Sequence, residues 1–250
     1  MQTLNSQSKI VREDTVSGLI VAIAIFSLWV ASLLILLPLQ RSTIPLIELL
    51  IFILGRTFLH TGLFIVAHDA MHSNLAPHNQ KINDWVGFIA VKLYAFLPYR
   101  QCRTNHKKHH KHTGQVGDPD FHDGIHSDPF SWYLKFVGEY LQIRSMIIFL
   151  IAWCFVFLSV NQIFQISFAN FILFWVVPLI LSSIQLFFFG TYLPHRENFN
   201  RLNPILIRTQ SRSFSILISL VTCYHFGHYH REHHDYPQIP WYLLPQAKGS

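Results

Sequence analysis

Long apolar runs without charge constrain this chain more than any other feature of its sequence. Residues 16–39 form a run of twenty-four residues without a charged side chain. At ~1.5 Å per residue, a helix of that length crosses the ~30 Å hydrocarbon core of a bilayer. Two further apolar runs occupy residues 146–164 and 168–192, and another occupies residues 44–66, where Glu48, Arg56 and His60 interrupt it. Because the hydrocarbon core offers the backbone no water, each run must satisfy its own peptide hydrogen bonds, which predicts four transmembrane helices.

These spans predict an all-α integral membrane protein with a single membrane domain over residues 1–250. Its four helices form two hairpins, each followed by a polar segment, residues 67–145 and residues 193–250. Two apolar stretches, residues 83–99 and 213–224, are short or interrupted, and we expect interfacial helices there. A fifth or sixth span is the alternative. With the polar segments, the interfacial helices form a histidine-rich cap.

The placement of charge predicts the orientation of the chain. The net charge is +6, which could indicate nucleic acid as a partner. However, Lys and Arg almost avoid the two loops that join the spans within each hairpin, and basic residues collect on the cytoplasmic side of membrane proteins. We therefore expect both termini and all histidine clusters in the cytoplasm, with lipid headgroups rather than nucleic acid beside them. The three scattered cysteines imply neither a disulfide framework nor a thiolate metal site.

Clusters of histidine beside the apolar runs predict a metal centre. HDAMH places His68 and His72 four residues apart, so both lie on one face of a helix. NHKKHH and YHREHH each place three histidines at positions i, i+3 and i+4. Eight imidazoles are too many for one ion, because a closed zinc site takes four ligands. They suit two ions with four or five ligands each, but imidazole binds iron, copper, nickel and zinc, so spacing alone does not select the metal.

At these residues a family becomes recognisable. The order HxxxH, HxxHH, HxxHH between apolar hairpins resembles the membrane fatty-acid desaturase superfamily. Within it, the stretches HDAMH, DPDFH, FGTYLPHR, CYHFG and PWYLLP look like those of the bacterial-type β-carotene ketolases. The resemblance extends from about Phe58 to Pro245, which is most of the chain.

The resemblance implies a substrate, a cofactor and a reaction. Such enzymes use two iron ions, O₂ and an external reductant such as ferredoxin to convert position 4 of the β-carotene ring into a ketone. One oxidised ring gives echinenone and two give canthaxanthin, whereas hydroxylated rings lead towards astaxanthin. A carotenoid hydroxylase or a fatty-acid desaturase or hydroxylase on the same scaffold is the alternative enzyme. A membrane metal transporter is the alternative of another class, but it requires metal-binding residues near the middle of the membrane.

Spacing and resemblance together predict nine metal ligands: His68, His72, His106, His109, His110, His195, His230, His233 and His234. His195 follows the fourth span as His68 follows the second, and it lies in the family-like stretch FGTYLPHR. Pro194 disfavours a regular helix at this point and could turn the imidazole inward.

Four further residues are expected next to the ligands. Asp69, Asp118, Asp120 and His225 are predicted to contact ligand imidazoles and orient them. The dense run HFGHYHREHH also permits a second register, His225-x-x-His228. We prefer the register that begins at His230, because it repeats the spacing of the second cluster.

Polar residues interrupt the second span. Arg56, His60, Phe64 and His68 recur every four residues and form one stripe. This stripe either lines a path to the metals or forms a structural hydrogen-bonded pair, and we favour the structural interpretation. The sequence does not identify the residues that contact the substrate.

Overall fold

The structure is a computed structural model that describes residues 15–115, 117–141, 143–164, 166–196 and 215–247. Within these residues the regular elements are all helical, which confirms the predicted all-α fold. The predictions for both termini and for residues 197–214 lie outside the described residues. The main helices are α1 Thr15–Leu36, α2 Leu46–Met71, α3 Gln80–Ala95, α4 Tyr99–Lys111, α5 Pro129–Tyr140, α6 Ile143–Phe164, α7 Phe168–His195, α8 Ile216–Cys223 and α9 His230–Asp235.

Three of the four predicted spans are confirmed as helices of sufficient length and apolarity to cross a membrane. They correspond to Val16–Leu36 within α1, to α2 and to α7. The remaining predicted span, residues 146–164, lies in α6, whose apolar part among the described residues, Met146–Ser159, is shorter. The crossing by α6 therefore stays a prediction.

The two apolar stretches outside the spans form short helices. Helix α3 has 16 residues and begins where the Asn79 side chain accepts a hydrogen bond from the backbone N–H of Ile82. It ends at Phe96, whose left-handed backbone (φ 54°) reverses the chain into α4. Helix α8 has only 8 residues. At ~1.5 Å per residue both are too short to cross the hydrocarbon core, so neither adds a fifth or sixth span.

Arg56 and His60 fasten the spans to each other. The Arg56 Nε donates to the carbonyl of Phe174 at 3.0 Å, and its Nη1 donates to the carbonyl of Trp29 at 2.9 Å. The His60 Nδ1 accepts from the Trp29 indole N–H at 3.2 Å, while its Nε2 donates to the carbonyl of Tyr94 at 3.0 Å. Both polar residues thus join α1, α2, α3 and α7, which supports the structural interpretation of the polar stripe.

A close approach at Gly62 attaches the third histidine segment to α2. A Cβ atom at Gly62 would lie 2.5 Å from the hydroxyl oxygen of Tyr224, so only glycine allows this contact. The Tyr224 hydroxyl donates to the carbonyl of Phe58 at 3.0 Å, and the two aromatic rings stack at 4.4 Å between centroids. These contacts fix the segment just before α9 against the end of α2 that carries His68.

Helix α7 reaches the metal-binding side through a local irregularity. Residues Phe188–Tyr192 form a π-helical turn, and the helix then continues through Pro194 to His195. A π turn changes the angular position of every side chain that follows it and often occurs at functional sites. The sequence predicted that Pro194 disfavours a regular helix at this point, whereas the irregular turn precedes Pro194 and the helix continues through it. His195 is buried at the end of this helix.

Candidate metal centre

Four helix ends bring the nine predicted histidines together. His68 and His72 come from the end of α2, and His195 comes from the end of α7. Helix α4 supplies the triplet that begins at His106, and α9 supplies the triplet that begins at His230. Their ligand atoms form two groups, in each of which all atoms lie within 4.8 Å of one another.

The first group contains five histidines, which are His68, His72, His106, His110 and His233. The Nε2 of His106 lies 2.6 Å from that of His72 and 3.1 Å from that of His110. The Nε2 of His110 also lies 2.9 Å from that of His233. The Nε2 atoms of His106 and His110 therefore each face two other ring nitrogens at the same time. An ion shared by these nitrogens explains this arrangement better than separate hydrogen bonds do.

The second group contains four histidines, which are His109, His195, His230 and His234. The Nε2 of His230 lies 2.9 Å from that of His195 and 3.0 Å from that of His234. The Nε2 of His234 lies 3.1 Å from that of His109. Without His195 this group would have only three imidazoles.

Helical geometry explains how each triplet divides between the groups. Residues four apart lie on the same helix face, so His106 and His110 stay together, as do His230 and His234. The histidine at position i+3 turns to the other side, which places His109 with the second group. His233 joins the first group for the same reason.

The donor sets fit two metal ions. At a metal–nitrogen distance of ~2.0–2.1 Å, two ligands that subtend 90–109° at one ion are separated by about 2.9–3.4 Å. Of the six Nε2 pairs that lie within hydrogen-bonding distance, five are separated by 2.9 to 3.1 Å and one by 2.6 Å. Five and four nitrogen donors also match the coordination numbers of transition-metal ions that imidazole binds.

Burial keeps most of these imidazoles uncharged. It lowers the pKa of His230, His233 and His234 well below the ordinary range, and repulsion from the neighbouring imidazoles lowers it further. Burial also lowers the pKa of His110 to about 2. A neutral imidazole has a free lone pair, which is the form that binds a metal.

Asp118 orients one of the histidines. Burial lowers the pKa of His109, but the nearby carboxylates of Asp120 and Asp118 outweigh that effect, so its pKa is raised. The His109 Nδ1–H donates to Asp118 at 2.9 Å, which directs Nε2 towards the second group. Asp118 also accepts the backbone N–H groups of Gly114 and Asp120, each at 2.9 Å, so its own position is fixed.

The other predicted neighbours have different contacts. Asp120 lies 3.9 Å from the His109 Nδ1 and accepts a hydrogen bond from the Tyr140 hydroxyl at 2.6 Å. Asp69 lies 3.9 Å from the His68 Nδ1 and accepts the backbone N–H of Trp241 at 3.3 Å. Both carboxylates are therefore beyond hydrogen-bonding distance of those imidazoles.

His225 and His228 belong to neither histidine group among the described residues. The His225 Nδ1 pairs with the Ser219 hydroxyl at 2.6 Å, and its ring stacks on Trp241. Tyr140 and Trp241, which contact Asp120 and Asp69, were not predicted from the sequence. Trp241 lies in the stretch PWYLLP, which was a usable signal, whereas Tyr140 lies in an ordinary amphipathic helix that offers none.

The contacts of Asp118 generate a prediction on metal affinity. We expect Asp118→Ala to weaken metal binding about 10–100-fold, because His109 loses the partner that fixes its ring. The measurement is competition of the purified protein with a chelator. Asp123→Ala is the matched control, since Asp123 lies in the same loop, is exposed and pairs with His126. Equal affinity of both variants would contradict the orienting role of Asp118.

Comparisons with known proteins agree with the geometry of this centre. The fatty acid desaturase family model matches residues 43–144 and 127–249. The chain is 37% identical to a β-carotene ketolase of Paracoccus sp. strain N81106 over 94% of this chain and 93% of that protein. It is 36% identical to a β-carotene ketolase of Paracoccus sp. strain PC1 over 90% of this chain and 86% of that protein.

A third similar protein has a different name, zeaxanthin 4-ketolase. The chain is 37% identical to a zeaxanthin 4-ketolase of Chlamydomonas reinhardtii over 76% of this chain and 42% of that protein. These matches confirm the resemblance on which the sequence analysis relied. The chain belongs to the fatty acid desaturase family, and within it to the branch that contains the β-carotene ketolases.

Proposed function

We propose that this protein is a carotenoid ketolase that converts position 4 of the β-carotene ring into a ketone. The observation that carries the proposal is the division of nine buried or half-buried histidines into groups of five and four. The names of the relatives, β-carotene ketolase and zeaxanthin 4-ketolase, supply the substrate class. Echinenone and canthaxanthin are the expected products.

Two iron ions are the proposed cofactor. When bound, iron supplies the activation of O₂ and the oxidation of an inert ring C–H bond, which side chains alone do not perform. The uncharged imidazoles of the two groups would hold the ions, and the nine predicted histidines are proposed as the ligands. Asp118 would keep His109 in the tautomer and orientation that a ligand requires.

The balance of the reaction defines the other participants. Conversion of the ring CH₂ at position 4 to C=O requires two hydroxylations at the same carbon. Each hydroxylation consumes one O₂ and two electrons with two protons, and releases one water. The resulting geminal diol loses water to give the ketone. Burial of the histidines limits the access of bulk water and keeps the site suited to an apolar ring.

The electrons are proposed to come from an external protein such as a ferredoxin. The outer face of α4 is exposed and basic, with the cations Arg100, Lys107, Lys108 and Lys111. The other face of the same helix carries histidines of both groups. An acidic donor on this face would thus be separated from the metals by about one helix diameter, ~10–12 Å.

A four-span topology with a cytoplasmic metal site is the proposed arrangement. The Asn170 amide donates to the carbonyls of Leu37 and Leu39 at 2.9 and 2.7 Å, so α7 begins beside the end of α1, far from the histidines. Helix α6 must therefore connect the histidine side to that far side. Ring contacts in its two halves support this path, with Phe149 on Phe96 and Phe157 on Phe168.

Cysteine labelling tests this topology. In a variant without the native cysteines, single cysteines at Asn161 and Lys111 should react with impermeant reagents from opposite sides of the membrane. Asn161 lies near the far end of α6, and Lys111 lies at the end of α4. Ketolase activity of each labelled variant is the control for correct insertion. Reaction of both positions from the same side would contradict the four-span arrangement.

Pigment analysis tests the proposed function. Expression in bacteria that accumulate β-carotene should convert it to echinenone and canthaxanthin, because the ring is oxidised at position 4. Chromatography of extracted carotenoids measures the products. Hydroxylated carotenoids without ketones would show a hydroxylase, and changed fatty acids with unchanged carotenoids would show a desaturase. Either result would refute the ketolase proposal.

His195 is the sharpest test of the ligand set. We expect His195→Ala to abolish ketolase activity and to lower the bound iron towards about one ion per chain, because only the group of four loses a donor. His228→Ala, a change of another buried histidine in the same region, should retain activity and iron. Iron analysis and pigment analysis of the purified and membrane-inserted proteins give both results. Full activity of the His195 variant, or loss of iron in the His228 variant, would contradict the assignment of His195 as the ninth ligand.

A further inference from the structure

An apolar cavity of about 370 Å³ lies beside the histidine groups, between the spans. Its volume falls within the range of small-molecule sites, ~300–1,000 Å³. Helices α2, α5, α6 and α7 and the end of α3 form its wall. Along α7, the lining residues run from Val176 to Leu186, which corresponds to ~15 Å of helix.

The hydroxyl groups on the wall are occupied by other protein groups. The Tyr133 hydroxyl pairs with Ser183 at 2.6 Å, and the Tyr94 hydroxyl accepts from Ser182 at 3.3 Å. The Tyr140 hydroxyl donates to Asp120 at 2.6 Å. The rest of the wall is mostly aliphatic and aromatic side chains, so the cavity suits a hydrocarbon rather than a polar ligand.

The outer end of the cavity faces the lipid. Leu150 on α6 and Ile180 on α7 line the cavity, yet their exposed fractions are 52% and 50%. Exposed apolar side chains on spanning helices contact the hydrocarbon core. In the proposed four-span topology the cavity therefore opens sideways towards the bilayer, between α6 and α7.

The inner end meets the metal centre. Four residues, Phe64, Phe136, Tyr140 and Leu186, line both this cavity and a second one of about 60 Å³, and we call them the collar. The second cavity is bounded by histidines of both groups: His68, His106, His109, His230 and His233. It is too small for a six-membered hydrocarbon ring with its methyl groups, but a ring edge fits.

We propose that the larger cavity binds one cyclic end of the carotenoid, which enters sideways from the bilayer. This assignment rests on the ketolase function proposed above. The collar stops the ring, so that only the edge with position 4 reaches the small cavity between the two histidine groups. The polyene chain then leaves past Leu150 and Ile180 into the lipid, because a cavity of this size holds only the end of the molecule.

The shape of the cavity favours this occupant over a phospholipid. It ends at two groups of metal-binding imidazoles, whereas an acyl chain would place only a methyl group there. Its mouth is made of leucine and isoleucine, and the wall has no charged side chain to hold a headgroup. A hydrocarbon whose reactive end is its innermost part matches both features.

Two isoleucines one helical turn apart provide a matched experiment. Ile180 lines the mouth and Ile184 does not, although both are exposed on α7, at 50% and 43%. Ile180→Trp should fill the mouth and lower both the β-carotene that co-purifies with each chain and the rate of ketone formation, by about tenfold or more. Ile184→Trp should retain wild-type values. Both variants should contain wild-type iron, because neither residue contacts a histidine group.

A collar variant extends the test. Leu186→Trp should abolish ketone formation with unchanged iron, since the ring would stop short of the histidines. If this buried substitution prevents insertion, Ile180→Trp alone decides. Wild-type pigment binding and activity in Ile180→Trp, or equal losses in both isoleucine variants, would refute the cavity assignment. The wild-type protein could also co-purify with β-carotene, lose it in Ile180→Trp, and yet form no ketone. That result would support the cavity as the binding site and refute the proposed ketolase function.

Discussion

The convergence of four helix ends on one set of buried, uncharged imidazoles is the constraint on which the rest of the structure depends. Imidazole nitrogens within each group lie within 4.8 Å of one another. Buried polar groups without suitable partners are destabilising, so the cluster requires a rigid frame, and the proposed metal ions would be the partners of its nitrogens. The frame consists of contacts remote from the histidines, of which the Arg56 hydrogen bonds between three spans and the close approach of Tyr224 to Gly62 are the clearest.

The histidine cluster lies where both apolar and water-soluble reactants can reach it. The three proposed reactants are the carotenoid, O₂ and the electron donor. In the proposed reaction the carotenoid and O₂ come from the hydrocarbon core, whereas the electrons would come from a water-soluble protein. An apolar cavity approaches the histidines from between the spans. The basic face of α4 approaches them from the polar side. The proposed reaction therefore requires the metals at the membrane boundary rather than at mid-membrane or in a soluble domain.

Much of the site could be predicted from sequence because the informative patterns are local. Apolar length identified the three spans that the structure confirms, and spacing of i, i+3 and i+4 identified compact histidine patches. His195 needed more than spacing, since it is a lone histidine, and it joins the group of four at the end of a helix that contains a π turn. A contact between Asp118 and a ligand imidazole was predicted because ligand histidines commonly donate to carboxylates. The structure identifies that imidazole as His109.

The remaining features depend on how helices cross in space, which the sequence does not encode locally. The i, i+4 pairs follow from local spacing, but the placement of the remaining histidine of each triplet in the other triplet's group depends on how α4 and α9 lie relative to each other. Asp69 was expected to bond a ligand imidazole, yet its carboxylate accepts the N–H of Trp241, 172 positions later in the chain. The collar and the cavity combine residues from five helices, so no single stretch could indicate them.

The metal content of fully active enzyme tests the central claim most directly. Iron analysis combined with X-ray absorption should find about two iron ions per chain, bound mainly by imidazole nitrogen at ~2.0–2.2 Å, as two donor groups of five and four histidines require. Full ketolase activity with one iron per chain, or with zinc alone, would contradict the two-ion centre.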